Sequence, residues 1–510
     1  MEPISARSFI DVVSTGDSKR KDERRQRLSP VALAAVDRKV QSAYSPIVIA
    51  GVLRLIDFVL ISFIGLALYF GYGTAAVGDS WRYPILALSI AAATVAILQA
   101  VDIYQVQHFQ AGFLRIPRLL LCWCAVFIPA VGLSHVARLD DVSLRVWFAA
   151  FFCAGIVALI FERLAVRAVL GKWAKEGRLD RRTIIVGADE NGERLITALR
   201  TQEGSNLDIL GVFDDRNDDR VQGICAGVPK LGKVDDILEF AQRTRIDLIL
   251  FALPISAEKR ILQMLKKLWV LPVDIHLSAH TNELRFRPRY YSNLGKMPTL
   301  PMFEKPITDW DMVTKLMLDR SVGALLLLLT APLMAIIALA IKLDSRGPIF
   351  FHQKRFGFNN EGIDVLKFRS LHHHWADPLA SKVVTKNDSR VTRVGRFIRK
   401  TSLDELPQLL NVVFKGNLSL VGPRPHAVQG KLQNRLFDET VDGYFARHRV
   451  KPGITGWAQI NGWRGEIDNE TKIQKRVEFD LYYIENWSAL FDLYILCRTP
   501  LALLKTENAY

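Results

Sequence analysis

The chain has 510 residues, of which half are hydrophobic, 23% are charged and 10% are aromatic. This composition excludes a disordered or collagen-like protein, and the length predicts about three domains. The five cysteines form neither a CxxC pair nor a Cys/His ladder, which excludes a disulfide scaffold and gives no zinc pattern. Because 67 Lys and Arg exceed 52 Asp and Glu, the net charge is +15. Such a charge favours an anionic partner: nucleic acid, a membrane surface or a phosphorylated substrate.

The first 45 residues are polar and carry nine Lys and Arg. We predict that 1–45 is a disordered basic segment whose cations can contact anionic lipid. Since this polar segment precedes the first apolar run, we expect no signal peptide.

Four apolar segments come next, each close to the length of about 20 residues that a helix needs to cross a bilayer. They are 46–70, 83–101, 119–136 and 144–161. Residues 163–182, after the fourth segment, hold seven Lys and Arg, whereas 71–82 and 137–145 hold one and two. Because basic flanks stay in the cytoplasm, we predict a four-helix transmembrane bundle over 46–165 with both ends on the cytoplasmic face.

The first apolar segment contains two charges, Arg54 and Asp57, three residues apart. This spacing places them on one face of a helix. We interpret them as a pair that neutralises itself near the lipid headgroups, rather than as an ion path.

A fifth apolar run, 322–341, has Pro332 at its centre. Proline removes a backbone hydrogen bond and clashes with the preceding turn, so we expect a sharp kink. Basic residues flank the run on both sides: Lys315, Arg320, Lys342 and Arg346. A crossing helix would leave one basic flank outside the cell. We therefore favour a re-entrant helix over 320–343 that enters and leaves by the same face. An ordinary span, which also tolerates proline, is the alternative.

The pattern over 166–312 predicts a soluble Rossmann-like α/β domain. Apolar strands alternate with helices: strands at 183–187, 209–213, 248–252 and 273–277, helices at 190–201, 234–243 and 257–269. Such alternation is typical of a small parallel sheet. The first turn, between Gly187 and Gly192, matches the dinucleotide pattern GxGxxG only loosely, and Asp189 and Glu190 would repel a pyrophosphate. We favour a tight strand–helix turn over a working dinucleotide site.

Adjacent carboxylates, Asp404 and Glu405, follow a cluster of cations in the last third of the chain. The spacing Ser402-x-x-Glu405 is that of a capping box, which predicts a helix from Ser402 through about Val413. The two carboxylates then simply start a helix. Arg396, Arg399 and Lys400 lie just upstream, however. Among such cations the pair could instead hold Mg²⁺ together with a nucleotide diphosphate, and both interpretations remain open at this point.

A Gly-Pro-Arg-Pro sequence around Arg424 presents its guanidinium on a rigid backbone, because each proline fixes its own φ angle. The stretch 449–466 is rich in Gly, Trp and Arg. That composition is common in ligand-binding loops and also in packed surface loops.

Six motifs occur in order after residue 314: KLMLD, KFRSL, RVGRFIRKTSLDELPQ, SLVGPRP, VKPGITGWAQINGWRGE and DLYYIENWS. Over about 315–510 the chain thereby resembles the bacterial sugar transferases, the monotopic phosphoglycosyl transferases that act on polyprenyl phosphate. Four spans and a Rossmann-like domain upstream are similar to the large members of that family. The resemblance is strongest to the undecaprenyl-phosphate glucose phosphotransferases of exopolysaccharide synthesis. One departure is Ala331 before Pro332, where relatives often have serine.

The resemblance implies a fold with three parts: the four-helix bundle, the α/β domain, and a catalytic domain over 313–510 that contains the re-entrant helix. It implies that Asp404 is the nucleophile that forms a covalent phosphosugar, and that Glu405 orients it. Both carboxylates would hold the cofactor, Mg²⁺. Four cations are implied to bind substrate phosphate or lipid headgroup: Lys367, Arg369, Arg399 and Arg424.

The implied reaction transfers a hexose 1-phosphate, glucose before galactose, from a UDP-sugar to undecaprenyl phosphate and releases UMP, as the first step of exopolysaccharide repeat-unit assembly. The implied location is the bacterial inner membrane, multi-pass, with the active site on the cytoplasmic face. Its partners are the UDP-sugar, undecaprenyl phosphate and membrane lipids, not nucleic acid, and a homodimer is one assembly that we consider.

Two other functional classes remain open. A membrane-anchored nucleotide-sugar dehydratase can share the spans and the α/β domain, but it needs a Tyr-x-x-x-Lys pair, and no Tyr in this chain has Lys four residues later. A transporter subunit without chemistry needs paired charges within its spans, and only Arg54 with Asp57 comes close. Neither class explains the motifs after residue 314.

Overall fold

The computed structural model describes residues 28–37, 43–73, 81–106, 116–136, 142–201, 206–216, 224–254, 257–278, 292–294, 297–375, 388–426, 431–432, 435–436, 443–465 and 469–504. Their contacts group the chain into two units. One comprises 39–181, and the other comprises the residues before 39 together with those from 182 onward.

The segment that precedes the first membrane helix contains an ordered helix, α1 (Pro30–Val36). Its cap is Ser29, whose Oγ accepts from the Ala32 N–H at 3.1 Å and donates to the Leu231 carbonyl at 2.6 Å. Ala32 and Ala35 are buried in the same core as the α/β sheet. The prediction that all of 1–45 is disordered is therefore wrong for 28–37, because a capped helix with a face of small side chains packs on a neighbouring domain. Residues 1–27 and 38–42 lie outside the described residues.

Four long helices form the unit 39–181: α2 (Pro46–Leu68), α3 (Arg82–Ala100), α4 (Ile116–Val136) and α5 (Val142–Lys175). Each is long and apolar enough to cross a membrane. They enclose an aromatic core in which Trp123 and Phe151 are fully buried. Gly155 lets the Trp123 indole lie against the backbone of α5, since a Cβ there would come within 2.4 Å of the ring. The four predicted apolar segments are helical, and α5 extends well beyond the predicted end at 161.

The charge on Asp57 is paired differently from our prediction. Its carboxylate is buried, pairs with Arg163 at 2.5 Å and accepts from the Tyr104 hydroxyl at 2.6 Å. Arg54 lies over the ring of Tyr104, 5.6 Å from its centroid. The predicted Arg54–Asp57 pair is wrong, because the partner comes from another helix, which local spacing cannot reveal.

An eight-stranded mixed sheet follows: β1 (Arg181–Val186), β2 (Leu207–Phe213), β3 (Ile224–Cys225), β4 (Val228–Gly232), β5 (Leu248–Phe251), β6 (Asp274–Ser278), β7 (Ser292–Leu294) and β8 (Met297–Phe303). The strand order is β3-β4-β2-β1-β5-β6-β8-β7. Three helices connect the strands: α6 (Glu190–Thr201), α7 (Asp236–Arg243) and α8 (Glu258–Leu268). The four predicted strands are β1, β2, β5 and β6. The sheet is wider than predicted because β8 pairs with β6, and β3 with β4, in antiparallel fashion.

The turn after β1 is closed by side chains of its own domain. Asp189 Oδ1 accepts from the N–H groups of Asn191 and Gly192 at 3.1 and 3.2 Å. Asp214 Oδ2 accepts from the Ala188 N–H at 2.8 Å. These N–H groups are the ones that would face a pyrophosphate in a dinucleotide site. The structure thus agrees with the interpretation of a tight strand–helix turn.

The fifth apolar run belongs to a single long helix, α9 (Asp309–Asp344), with Pro332 inside it. The helix starts eleven residues before the predicted 320, and its early turns pack into the domain that follows. There Lys315 Nζ pairs with Asp492 at 2.5 Å. Near the proline, Thr330 Oγ1 donates to the Leu326 carbonyl at 2.8 Å. This back-bond is of a kind that often bends helices.

The described residues that follow α9 form further elements. They are the hairpin β9 (Phe350–Phe356) and β10 (Gly362–Phe368), α10 (Arg393–Lys400), α11 (Gln408–Leu410), β11 (Ser419–Val421), the two-residue strands β12 (Lys431–Leu432) and β13 (Arg435–Leu436), β14 (Gly453–Thr455), α12 (Trp457–Ile460), α13 (Glu470–Glu485) and α14 (Ala489–Leu504). Helix α10 packs with the end of α9 in one small core, and most of the others share a second, larger core. Trp269, which follows α8, is buried in this larger core. Asn359 of the β9–β10 turn donates to the Ala241 carbonyl of α7 at 2.7 Å. The α/β sheet and these elements are accordingly in direct contact, and the domain boundary at 312/313 stays a prediction.

Candidate active site

The elements that carry the site begin where α9 ends. Asp344 Oδ2 accepts from the Val394 N–H at the start of α10, at 3.1 Å. Arg369, just after β10, is buried and donates to the carbonyls of Ser345 at 2.8 Å and Arg346 at 2.5 Å. These bonds tie both α10 and the hairpin to the end of α9. They also give Arg369 a structural role, so it does not join the side chains described next.

The chain turns sharply between α10 and the carboxylate pair. Ser402 has φ +60°, in the left-handed region, and its side chain makes no capping bond. Its Oγ accepts instead from Arg464. Three short elements replace the predicted helix: a 3₁₀ turn at Leu403–Glu405, α11, and a π-helical turn at Asn411–Lys415. The capping-box prediction is therefore wrong, and the two carboxylates need another explanation.

Glu405 is fully engaged by two cations. Its Oε1 accepts from Lys367 Nζ at 2.9 Å and from one Arg424 nitrogen at 2.6 Å, and its Oε2 accepts from the other Arg424 nitrogen at 3.2 Å. Burial alone would raise the pKa of Glu405, but the charges of Arg424 and Lys367 outweigh it and hold that pKa well below its usual range. Glu405 is ionised at neutral pH, and both of its oxygens are occupied.

Asp404 has the opposite environment. Within the described part of the chain, no hydrogen-bond donor reaches its carboxylate. Burial raises the pKa of Asp404 to about 6, and the neighbouring charge of Glu405 acts in the same direction. Lys367 and Arg399 partly oppose this rise. At neutral pH Asp404 is thus an ionised, poorly solvated carboxylate with no partner among the described residues, as expected of a nucleophile or a ligand for an ion.

Arg424 is held through its backbone by buried residues. One nitrogen of Arg447, which is completely buried, donates to the Arg424 carbonyl at 2.9 Å and to Asp480 at 2.5 Å. The preceding residues pair closely with β14, where a Cβ on Gly453 would lie 2.0 Å from the Gly422 nitrogen. The rigid presentation predicted for Arg424 agrees with this packing.

The structure brings together four of the six predicted site residues: Asp404, Glu405, Lys367 and Arg424. Arg399, in the last turn of α10, is close enough for its charge to act on Asp404. Two functional candidates were missed. Arg355 of β9 lines a small cavity with Lys367, Glu405, Gln408 and Arg424, and Arg464 contacts Ser402. The alternation of β9 and β10 was the available signal for Arg355, because it shares a strand face with Phe351, which lies opposite Lys367.

The fit to Mg²⁺ depends on the free carboxylate. Among the described residues, no three His, Cys, Asp or Glu side chains are grouped to hold a metal ion. Mg²⁺ is usually held by one or two carboxylates, waters and substrate phosphates rather than by a protein cage. Asp404 suits that arrangement. Glu405 would first have to release one of its cations.

Comparison with known proteins agrees with this geometry. The family model described as bacterial sugar transferase matches 310–506, and the one described as CoA-binding domain matches 99–279. A UDP-glucose:undecaprenyl-phosphate glucose-1-phosphate transferase of Escherichia coli K12 is 35% identical over 77% of this chain and 82% of its own. An undecaprenyl-phosphate glucose phosphotransferase of Komagataeibacter xylinus is 37% identical over 70% of this chain, which spans 65% of that relative. A UDP-N-acetylgalactosamine-undecaprenyl-phosphate N-acetylgalactosaminephosphotransferase of Aeromonas hydrophila is 42% identical, but over only 34% of this chain and 39% of its own. The chain belongs to the bacterial sugar transferase family and is a sugar-phosphate transferase.

Proposed function

We propose that this enzyme transfers glucose 1-phosphate from UDP-glucose to undecaprenyl phosphate and releases UMP. The observation that carries the proposal is the unlike state of two adjacent carboxylates: among the described residues, both oxygens of Glu405 are paired and Asp404 has no partner. The names of the Escherichia coli and Komagataeibacter xylinus relatives support the substrates. Three cationic side chains, Arg355, Lys367 and Arg424, line a small cavity with Glu405, and their charges favour anionic phosphate oxygens.

In this mechanism an oxygen of Asp404 attacks the β-phosphorus of UDP-glucose. The new bond joins Asp404 to the phosphorus, and the bond to the α-phosphate oxygen breaks, so that UMP leaves with the electron pair. An oxygen of the lipid phosphate then attacks the same phosphorus and releases Asp404. Glu405 contributes by holding Lys367 and Arg424 in place, which also keeps those cations from pairing with the nucleophile. The kinetics would be ping-pong.

Mg²⁺ is the proposed cofactor, which substrate phosphate oxygens and Asp404 would hold, and which Glu405 could join once it releases Lys367 or Arg424. It would neutralise charge on the diphosphate. The protein cations around Glu405, Lys367 and Arg424, serve the same electrostatic purpose.

The proposed location is the inner membrane of a bacterium, with the four helices of the bundle crossing it and α9 re-entering by the cytoplasmic face. This arrangement is supported by the end of α9, which is bonded directly to α10 and the hairpin that carry the site. The lipid phosphate lies at the headgroup plane, so a site at that helix end can meet it. Membrane lipids are the expected surroundings, nucleic acid is not an expected partner, and a homodimer is the assembly that we propose.

Cysteine labelling tests the topology of α9. Met312 and Leu343 lie near its two ends and are 57% and 80% exposed, so Met312→Cys and Leu343→Cys should be reachable. For a re-entrant helix, a membrane-impermeant maleimide should label both from the cytoplasmic side only. Labelling of Leu343→Cys from the periplasmic side would show that α9 crosses the bilayer.

A panel of UDP-sugars tests the reaction. We expect purified enzyme with undecaprenyl phosphate and Mg²⁺ to release UMP fastest from UDP-glucose, with UDP-galactose second. UDP-N-acetylgalactosamine belongs in the panel because of the name of the Aeromonas hydrophila relative. A faster reaction with another sugar would correct the substrate, and UMP release from none of them would refute the proposed function.

A further inference from the structure

Arg355 is a cation whose role the reaction above leaves open. It lies on β9, opposite Ile363 of β10. One nitrogen donates to Gln353 Oε1 at 2.7 Å, and another approaches the Pro425 carbonyl at 3.4 Å. Within the described residues these partners are neutral, and no carboxylate forms an ion pair with it. The guanidinium is therefore oriented by the protein without being neutralised.

The surroundings of Arg355 make an unpaired charge costly. Burial lowers the pKa of Arg355 to about 10, and the charge of Arg424 acts in the same direction. Glu405, which lines the same cavity, already has both oxygens bonded to Lys367 and Arg424. A half-buried cation beside like charge destabilises the fold unless an anion binds between them. Natural proteins tend to keep such violations at functional sites.

The adjacent residue on β9 shows the contrast. Lys354 points to the other face of the hairpin and pairs with Asp364 of β10 at 2.8 Å. Its side chain is 51% exposed, so solvent and a carboxylate both stabilise it. The two neighbouring cations thus differ in pairing, in exposure and in position, and of the two it is Arg355 that faces the cavity with Glu405 and Arg424.

We propose that Arg355 binds a phosphate oxygen of the substrate at this small cavity, next to Arg424. The inference rests on the proposed function and adds a binding residue to it. The ligand chemistry is a phosphate oxygen that accepts two N–H groups of the guanidinium. That phosphate is either part of the nucleotide diphosphate or the headgroup of the polyprenyl acceptor. The two half-reactions separate these sources.

The test compares Arg355→Gln and Lys354→Gln in full-length enzyme in detergent or nanodiscs. The first half-reaction is formation of the covalent adduct from UDP-glucose without lipid, and the second is transfer from that adduct to undecaprenyl phosphate. We expect Arg355→Gln to slow at least one of them by about tenfold or more, because one charge-assisted phosphate contact is lost. A slower first step identifies the nucleotide, and a slower second step identifies the lipid. Lys354→Gln should leave both rates within about twofold of wild type.

A purely structural role gives a different result. In that case Arg355→Gln would lower the unfolding temperature, and Arg355→Lys would restore stability and both rates together. For a phosphate ligand, Arg355→Lys should keep the fold but raise the KM of one substrate, since the two-pronged contact is lost. If Arg355→Gln does not fold, an unchanged KM in Arg355→Lys overturns the proposal. Rates of a folded Arg355→Gln within twofold of wild type also overturn it. An inactive wild type would instead refute the proposed function.

Discussion

Asp404→Asn is expected to lower turnover by about 10⁴-fold or more while the protein remains folded. The amide has the size of the carboxylate but cannot attack phosphorus. Mass spectrometry should detect an adduct of glucose phosphate on wild-type enzyme incubated with UDP-glucose alone, and none on Asp404→Asn. UMP release by a folded Asp404→Asn enzyme at near the wild-type rate would refute the nucleophilic role.

The same substitution should stabilise the protein, which separates the nucleophile from an ordinary helix-start residue. The pKa of Asp404 is raised to about 6, compared with about 3.9 for an unfolded aspartate. When the pKa of an acid is higher in the folded than in the unfolded state, the folded state favours the protonated form. Ionisation of the acid therefore destabilises the fold as the pH rises. The penalty begins above about pH 4 and is complete above about pH 6. Asparagine carries no charge and has no such penalty. We therefore expect the free energy of unfolding of Asp404→Asn to exceed that of wild type by roughly 1–3 kcal/mol at pH 8.

Denaturant unfolding of the two proteins in metal-free buffer measures this gain. The difference between Asp404→Asn and wild type should be largest at pH 7–8 and should close toward pH 4. If Asp404 only stabilised a helix start, asparagine would instead cost about 0.5–1 kcal/mol at neutral pH. A less stable Asp404→Asn protein at pH 8 would therefore contradict the environment described for this carboxylate.

Sequence periodicity was sufficient for those elements whose form depends on local apolar pattern. Helix α6 has the predicted limits, 190 and 201, and four strands of the sheet lie where alternation indicated. Periodicity did not predict elements that are very short or that form only by pairing with residues distant in sequence. Strand β8 contains Pro298 and Pro301, and proline within a run of residues argues against a strand at the sequence level. Helix α1 is only seven residues long and depends on contact with Leu231.

In the candidate site, too, local sequence patterns identified residues but not their interactions. Short motifs identified Asp404, Glu405 and Arg424. The ionisation and pairing of these side chains depend on tertiary partners, which the motifs do not reveal. Ser402-x-x-Glu405 matches a capping box by spacing, but Lys367 and Arg424 attract the glutamate and Arg464 takes the serine hydroxyl. A local pattern is overridden when stronger charged partners arrive from elsewhere in the fold.

Glu405→Gln is the second substitution with a large expected effect, and its effect on stability is opposite in sign to that of Asp404→Asn. The pKa of Glu405 is depressed by Arg424 and Lys367, so its charge stabilises the fold above the unfolded value of about 4.3. That contribution is lost as the pH falls through the folded pKa. At pH 7 the neutral amide leaves both cations without their counter-ion, and we expect a loss of about 2–4 kcal/mol. The difference from wild type should shrink toward acidic pH.

Turnover of Glu405→Gln should fall by about 10²–10³-fold, because Arg424 and Lys367 lose the anchor that orients them toward the phosphates. Glu361→Gln, an exposed site in the β9–β10 turn, is the matched control and should change neither rate nor stability. Raised Mg²⁺ distinguishes the two roles of Glu405. If the carboxylate chiefly binds metal, excess Mg²⁺ should restore much of the activity. If it chiefly holds the cations, as its two occupied oxygens indicate, activity should stay low at every Mg²⁺ concentration. Wild-type stability and turnover in Glu405→Gln would overturn both roles.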